Sequence, residues 1–246
     1  MNPTSLLQNH WVFTRLHRGT ARELPGAVDI RSELPGFGVA VLAAPSADPT
    51  LLRDHSQVRL VPGGESWEPR LREAGFREKG ALRYMALEGD WRAWRSNAAV
   101  AIREARMAGD IDAFTEVQGR GFAEDDEKPE EISSLLGPWN RKNLGHPDQR
   151  FLIGELEGKP AGITLVVRSD GGKTAGIYAV ATVPEARCRG VSTTLLRDAV
   201  AEEKRCGAEL ITLQVMEGTP AQRLYESLGF VTAFRSPIFA RAILGA

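Results

Sequence analysis

Residues 183–193 read Val183-Pro184-Glu185-Ala186-Arg187-Cys188-Arg189-Gly190-Val191-Ser192-Thr193. Before them, residues 174–182 (Thr-Ala-Gly-Ile-Tyr-Ala-Val-Ala-Thr) form an apolar run with the composition of a strand. After them the period changes. Val191, Leu195, Ala199 and Val200, with Leu196 beside them, fall on one helical face, and Gly207 stands where that helix should stop. The stretch therefore reads as a strand, a tight loop and a helix N-terminus. The first N–H groups of a helix have no partner inside it, and its dipole favours negative charge there. Small residues at 190 and 192 let a ligand approach the backbone, while Arg187 and Arg189 add positive charge. A cradle for a pyrophosphate is expected. No Gly-Lys-Ser/Thr follows and GxGxxG is absent, so neither common phosphate loop is present.

Upstream, residues 151–156 and 160–167 read as strands joined by the turn Glu157-Gly158-Lys159. A second turn, Ser169-Asp170-Gly171-Gly172, leads into 174–182, which makes an antiparallel meander. Residues 99–105 fit a strand, although their alanines and charges leave a helix open. Asp110 is expected to N-cap a helix running to about Phe122, with Ile111, Phe114 and Val117 on its apolar face. Residues 124–131 carry six acids in eight positions. They read as a solvated loop feeding a short helix through Leu136, with a cation site as the alternative. Downstream, 210–215 is a strand and Thr219-Pro220 opens a short helix ending at Leu228-Gly229-Phe230. Residues 234–241 form a last strand, bent at Pro237. Two helices, three strands, then helix, strand, helix, strand make an α/β layered domain.

A second motif, whose Tyr225 lies 38 positions after Arg187, reads Ala221-Gln222-Arg223-Leu224-Tyr225-Glu226-Ser227-Leu228-Gly229-Phe230. Together the two motifs resemble the GNAT family of acyl-CoA-dependent N-acetyltransferases. That family has an Arg/Gln-x-x-Gly-x-Gly/Ala turn at the start of a helix and an Asn-x-x-Ala-x-x-Leu-Tyr-x-x-x-Gly-Phe segment before its last strands. The resemblance spans about residues 110–235 and implies a mixed, mostly antiparallel sheet flanked by helices. It also implies acetyl-CoA as co-substrate, with no metal. Backbone groups of Val180, Ala181 and Thr182 would meet the pantetheine arm. Arg187 would stand at the head of the loop, and Cys188, Arg189, Gly190, Val191, Ser192 and Thr193 would cradle the pyrophosphate. Tyr225 would protonate the departing CoA thiolate, the alternative being a core aromatic beside Leu224 and Leu228. Three positions depart from the family pattern. Ser192 replaces Gly or Ala, and its hydroxyl can serve a phosphate or cap the helix. Gly218, counted with the cofactor contacts, sits where the family often has Asn. Cys188 takes a position often held by Gly, either as a plain spacer or as an oxidation-prone thiol between two arginines.

Direct transfer needs a neutral amine, and free amines titrate at roughly 8 to 10.4. A base, or a water chain leading to one, must take the proton. The sequence does not name it; Glu155, Tyr178, Trp139 and His146 are the residues weighed near an acceptor. A backbone N–H near Val180 would stabilise the oxyanion. A tyrosine of pKa about 10 can protonate a thiolate whose thiol has a pKa of about 8.5.

The N-terminal half carries a faint echo. Pro69-Arg70-Leu71-Arg72-Glu73-Ala74-Gly75-Phe76 repeats the helix-Gly-aromatic pattern and precedes a strand at 81–87. Aligning Gly75 with Gly229 puts Leu71 where Tyr225 stands, and no cofactor turn lies upstream. Two tandem GNAT-like domains are expected: residues 1–98, degenerate, and residues 99–246, which bind cofactor. Strands near 36–42 and 58–61 fit this. The first half is left to wall the acceptor site or to pair two copies as a homodimer.

The chain has 246 residues, enough for one large core or two modest ones. Its 31 basic and 32 acidic residues nearly cancel, so no global charge draws it to nucleic acid or a membrane surface. Two cysteines and four scattered histidines make neither a disulfide framework nor a metal-ligand spacing. No stretch approaches the roughly 18 apolar residues of a membrane helix, and the start lacks the pattern of a secretory signal. A cytoplasmic protein is expected. The leading reading is acetyl transfer from acetyl-CoA to a primary amine of a small molecule or peptide. The alternatives are a non-catalytic acyl-CoA-binding sensor and a structural interaction protein.

Overall fold

The computed structural model describes residues 2–34, 37–123 and 127–241. The chain forms two compact units, one of Met1–Ala86 with Gln214–Ala246, the other Leu87–Leu213. The first unit opens with α1 (Pro3–His17), β1 (Thr20–Leu24), β2 (Ala27–Arg31) and β3 (Val39–Leu42). It continues with α2 (Leu51–Asp54), β4 (Gln57–Leu60), α3 (Glu68–Glu73) and β5 (Arg77–Leu87). Next come β6 (Val100–Glu104), α4 (Ala108–Phe122), α5 (Pro129–Lys142), β7 (Gln149–Leu156) and β8 (Lys159–Ser169). Then follow β9 (Thr174–Thr182), α6 (Val191–Arg205) and β10 (Leu210–Met216). The chain passes back into the first unit within β10 and ends with α7 (Pro220–Ser227) and β11 (Phe230–Ala240).

In the first unit the strand order is β1-β2-β3-β4-β11-β5. β3 and β4 run parallel, and β11 runs antiparallel to β4. The period of two sends Ala40 and Leu42 of β3 into one core with Trp67, Leu71 and Phe76. Val39 and Val41 go into the other, with Trp11 of α1 and Val61. A strand covered on both faces has no polar alternation to display, and every residue of β3 is buried. The echo between the halves is structural. α3 stops at Gly75 (φ 85°) and buries Phe76, and α7 stops at Gly229 (φ 84°) and buries Phe230.

In the second unit the order is β10-β9-β8-β7-β6. β7, β8 and β9 form the expected antiparallel meander, and β9 runs parallel to β10. The β7–β8 turn is a two-residue loop at Glu157 (φ 55°) and Gly158 (φ 73°), the left-handed pair that matches the strand twist. Each unit is thus a mixed, mostly antiparallel sheet flanked by helices.

Three boundaries differ from expectation. Asp110 is not the N-cap of α4 but its third helical residue, where its carboxylate accepts from the N–H groups of Arg106 (2.8 Å) and Met107 (3.1 Å). α5 runs to Lys142 through Pro138, longer than the short helix expected. β11 starts at Phe230 rather than 234: Phe230 is buried, but Val231 and Thr232 after it are both exposed, which breaks the alternation a strand reading looks for. Of the acidic stretch, 124–126 lie outside the described residues, and Glu130 and Glu131 sit in the first turn of α5.

Candidate functional site

The end of β9 is irregular. Ile163 stands opposite Ala181 and Leu165 opposite Tyr178, so Ala179 and Val180 together face Thr164. This is a β-bulge, and Ala179 takes the left-handed φ of 48°. On the other edge, the parallel ladder with β10 runs from Thr174↔Leu210 to Ile177↔Leu213 and stops before the bulge. Backbone polar groups beyond a ladder are available to an extended ligand. α4 presses on this end: a Cβ on Gly121 would lie 2.7 Å from Ala181 Cβ, so only glycine fits there.

The loop after β9 is shaped by two left-handed residues, Cys188 (φ 58°) and Gly190 (φ 74°). Gly190 is the N-cap of α6, contributes no capping side chain, and no acidic residue follows in the first turn. A Cβ at 190 would meet Asn97 Cβ at 3.5 Å, an ordinary contact, so backbone conformation and not crowding calls for glycine. The loop is tied down around that open N-terminus. Thr194 Oγ1 donates to Gly190 O (2.8 Å) and accepts from Asn97 N (2.8 Å), while Asn97 Nδ2 donates to Arg189 O (2.9 Å). Ser192 Oγ lies 2.6 Å from Thr182 Oγ1, linking the first turn of α6 to the end of β9. A Cβ on Gly162 would reach within 2.5 Å of Val191 Cγ1, so β8 is also seated against α6.

The two arginines differ. Arg189 pairs with Glu157, whose carboxyl that hydrogen bond holds below the usual range. Arg187 has no acidic partner among the described residues; its guanidinium donates to Gly121 O (3.2 Å) and Thr182 O (3.4 Å). Net positive charge at the loop therefore rests on Arg187. An α6 N-terminus with free donors, a glycine entry and one uncompensated guanidinium suits a phosphate or pyrophosphate.

Val180, Ala181 and Thr182 and residues 187–193 are brought together in the second unit. Gly218 and Tyr225 belong to the first. Gly218 is left-handed (φ 81°), and its N–H donates to Gln222 Oε1 (2.7 Å). Thr219 caps α7 by accepting from Gln222 N. Tyr225 is buried and meets Phe230 edge-on at 5.9 Å, and burial pushes its phenol well above the usual tyrosine range. Among the residues weighed near an acceptor, Glu155 is engaged by Arg103 Nε at 2.7 Å. His146 Nδ1 accepts from Asp148 N, Trp139 lies under Lys142, and Tyr178 is buried. Gly121, Asn97 and the Ala179 bulge carry no sequence motif. Their part comes from long-range approach, and only the Gly119-x-Gly121 pair late in α4 hints at it.

Residues 111–230 match the model of the Acetyltransferase (GNAT) family. A GCN5-related N-acetyltransferase from Kribbella flavida is similar in structure over 97% of this chain and 96% of its own, with a TM-score of 0.68 and 16% identity. A tandem GNAT protein from the clavulanic acid biosynthesis pathway is similar over 89% and 80%, with a TM-score of 0.62 and 14% identity. A functionally unknown conserved protein from Staphylococcus epidermidis is similar over 90% and 93%, with a TM-score of 0.67 and 16% identity. At these identities the likeness is one of fold. No curated protein matches the sequence.

Proposed function

From the match of residues 111–230 to the GNAT acetyltransferase family, we propose that they form a domain of that family and that this chain moves an acetyl group from acetyl-CoA directly to a primary amine of a small molecule or peptide. The observation that carries the reading is the loop at 187–190. Two left-handed residues deliver an uncapped, acid-free N-terminus of α6 beside a bulged strand end.

In this reading acetyl-CoA is a substrate. Its pyrophosphate takes the N–H groups at the start of α6 and the charge of Arg187. The amide groups of its pantetheine arm pair with the backbone of Val180, Ala181 and Thr182. The neutral amine nitrogen attacks the thioester carbonyl carbon, and a backbone N–H near Val180 steadies the oxyanion. The C–N bond forms, the C–S bond breaks, and the sulfur takes a proton from Tyr225; the proton that the amine nitrogen sheds passes to water, and water reprotonates the phenolate. Burial keeps that phenol protonated, so the proton is present when the thiolate leaves.

Calorimetric titration with acetyl-CoA tests this, with Gly190→Glu and Tyr225→Phe as variants. Gly190→Glu should abolish binding by placing a strained, negative side chain at the cradle. Tyr225→Phe should keep the affinity and lower kcat on an accepted amine by ~100-fold or more. Absence of saturable binding at millimolar ligand would sink the reading. Binding with no turnover on any amine, equal in wild type and Tyr225→Phe, would leave an acyl-CoA sensor instead.

A further inference from the structure

Whether the loop shows a ligand a donor or an acceptor depends on one peptide, that between Arg189 and Gly190. The peptide is trans, so its carbonyl oxygen and its N–H point in opposite directions. Gly190 stands at φ 74°, and glycine accepts either sign of φ at little cost. Residue type at 190 therefore leaves two orientations open. One turns the Gly190 N–H toward the cradle. The other turns Arg189 O there, where it would repel a phosphate.

Asn97 separates the two. Its Nδ2 donates to Arg189 O at 2.9 Å, which holds the oxygen on the Asn97 side and sends the Gly190 N–H away from it. The side chain has no second choice of orientation. Its Oδ1 accepts from Ala99 N at 2.9 Å, so only the amide nitrogen is left to face Arg189 O. The backbone of Asn97 is fixed as well: its N–H donates to Thr194 Oγ1 (2.8 Å) and its carbonyl accepts from Val100 N (3.0 Å). Thr194 in turn sets the next peptide. Its N–H (3.0 Å) and its Oγ1 (2.8 Å) both donate to Gly190 O, so the Val191 N–H points out of the helix. The N–H groups of Gly190, Val191, Ser192 and Thr193 donate to nothing among the described residues.

We propose that Asn97 is a positioning residue of the cofactor cradle: by holding Arg189 O it aims the Gly190 N–H at the pyrophosphate. It acts through the backbone and touches neither the ligand nor the reacting atoms. Asn97 precedes residues 111–230, so part of the cradle's geometry is set from outside the stretch that matches the family. The segment that carries it has a separate tie to α6, Arg197 Nη1 donating to Ser96 Oγ at 2.9 Å. This role presupposes that the loop cradles a pyrophosphate, as in the acyl-transfer reading.

The test titrates the full chain with inorganic pyrophosphate and with acetyl-CoA, by calorimetry and by amide NMR. Both should bind wild type, and pyrophosphate should shift the Gly190 amide resonance. Asn97→Ala should weaken both ligands about tenfold, the worth of one charge-assisted hydrogen bond, and should suppress that shift. Ser96→Ala, which releases the Arg197 tie but leaves Arg189 O held, should bind both as wild type does. Unchanged binding in Asn97→Ala would overturn the role of Asn97 and leave the acyl-transfer reading standing. An equal loss in Ser96→Ala would also overturn it, because general loosening would then explain both variants. Pyrophosphate binding without acetyl-CoA binding would sink the acyl-transfer reading alone, with Asn97→Ala then judged on pyrophosphate. If neither ligand bound wild type, both would fall.

Discussion

Cys188 adopts a φ of 58°, where a side chain crowds its own backbone, two residues before Gly190 adopts 74° with no side chain to crowd. The contrast predicts that Cys188→Gly raises stability by about 1 kcal/mol, and that Cys188→Val lowers it by at least as much. Urea midpoints at constant m would show both. The thiol is exposed, so Cys188→Gly should leave acetyl-CoA affinity unchanged. A drop in stability would mean that another interaction holds residue 188. Single residues in this loop were legible because their chemistry is local: Gly190, Ser192 and the arginines are read from type and order alone. The different fates of the two arginines were not. Arg189 is neutralised by Glu157, 32 positions away, and no spacing rule anticipates that pair.

α6 does more than present its N-terminus. On its last turn Glu203, fully buried, accepts from Arg168 of β8 at 2.6 and 2.8 Å and from Arg150 of β7 at 3.3 Å. One carboxylate thus fastens the helix to two strands of the meander. Removing it strands the half-buried guanidinium of Arg168, while Arg150 keeps Glu104 at 3.0 Å, and breaking a buried pair on one side costs about 3–5 kcal/mol. Glu203→Ala should therefore cost that much in chemical denaturation. Glu203→Gln, which keeps the volume and one acceptor, should cost less. A loss under about 1 kcal/mol for Glu203→Ala would mean that water replaces the carboxylate. The helix itself was legible from its apolar period, but nothing in that period marks Glu203 as buried. α1 was not read at all. Its buried face is built from Leu6, Asn9, His10, Phe13, Thr14 and His17, so polar residues occupy the positions where a periodicity reading looks for apolar ones. α1 nonetheless has a side-chain cap at Asn2 and proline at its start.

A boundary near residue 98 treats the two halves as consecutive, but the chain returns residues 214–246 to the first unit. Local patterning identifies a strand without naming its neighbours. The signal at 234–241 reads as the last strand of the second half, while β11 stands between β4 and β5 in the order of the first. The sheet of the first unit is thus built from both ends of the chain, and one of its interior strands is made last. Phe239 of β11 lies in the same core as Val58, Leu60 and Leu71, and Arg241 N donates to Ser56 O at 3.0 Å. A chain ending at Leu213 keeps every residue of β1 to β5 but lacks the strand that joins β4 to β5. Both strands would then expose unpaired edges and an apolar face, an arrangement that native sheets avoid. In that truncated chain β3 and β4 should lose their amide hydrogen-exchange protection, while β7, β8 and most of β9, paired within Leu87–Leu213, keep theirs. If residues 39–42 and 57–60 stayed as protected as in the full chain, the first unit would be self-sufficient and β11 an accessory to it.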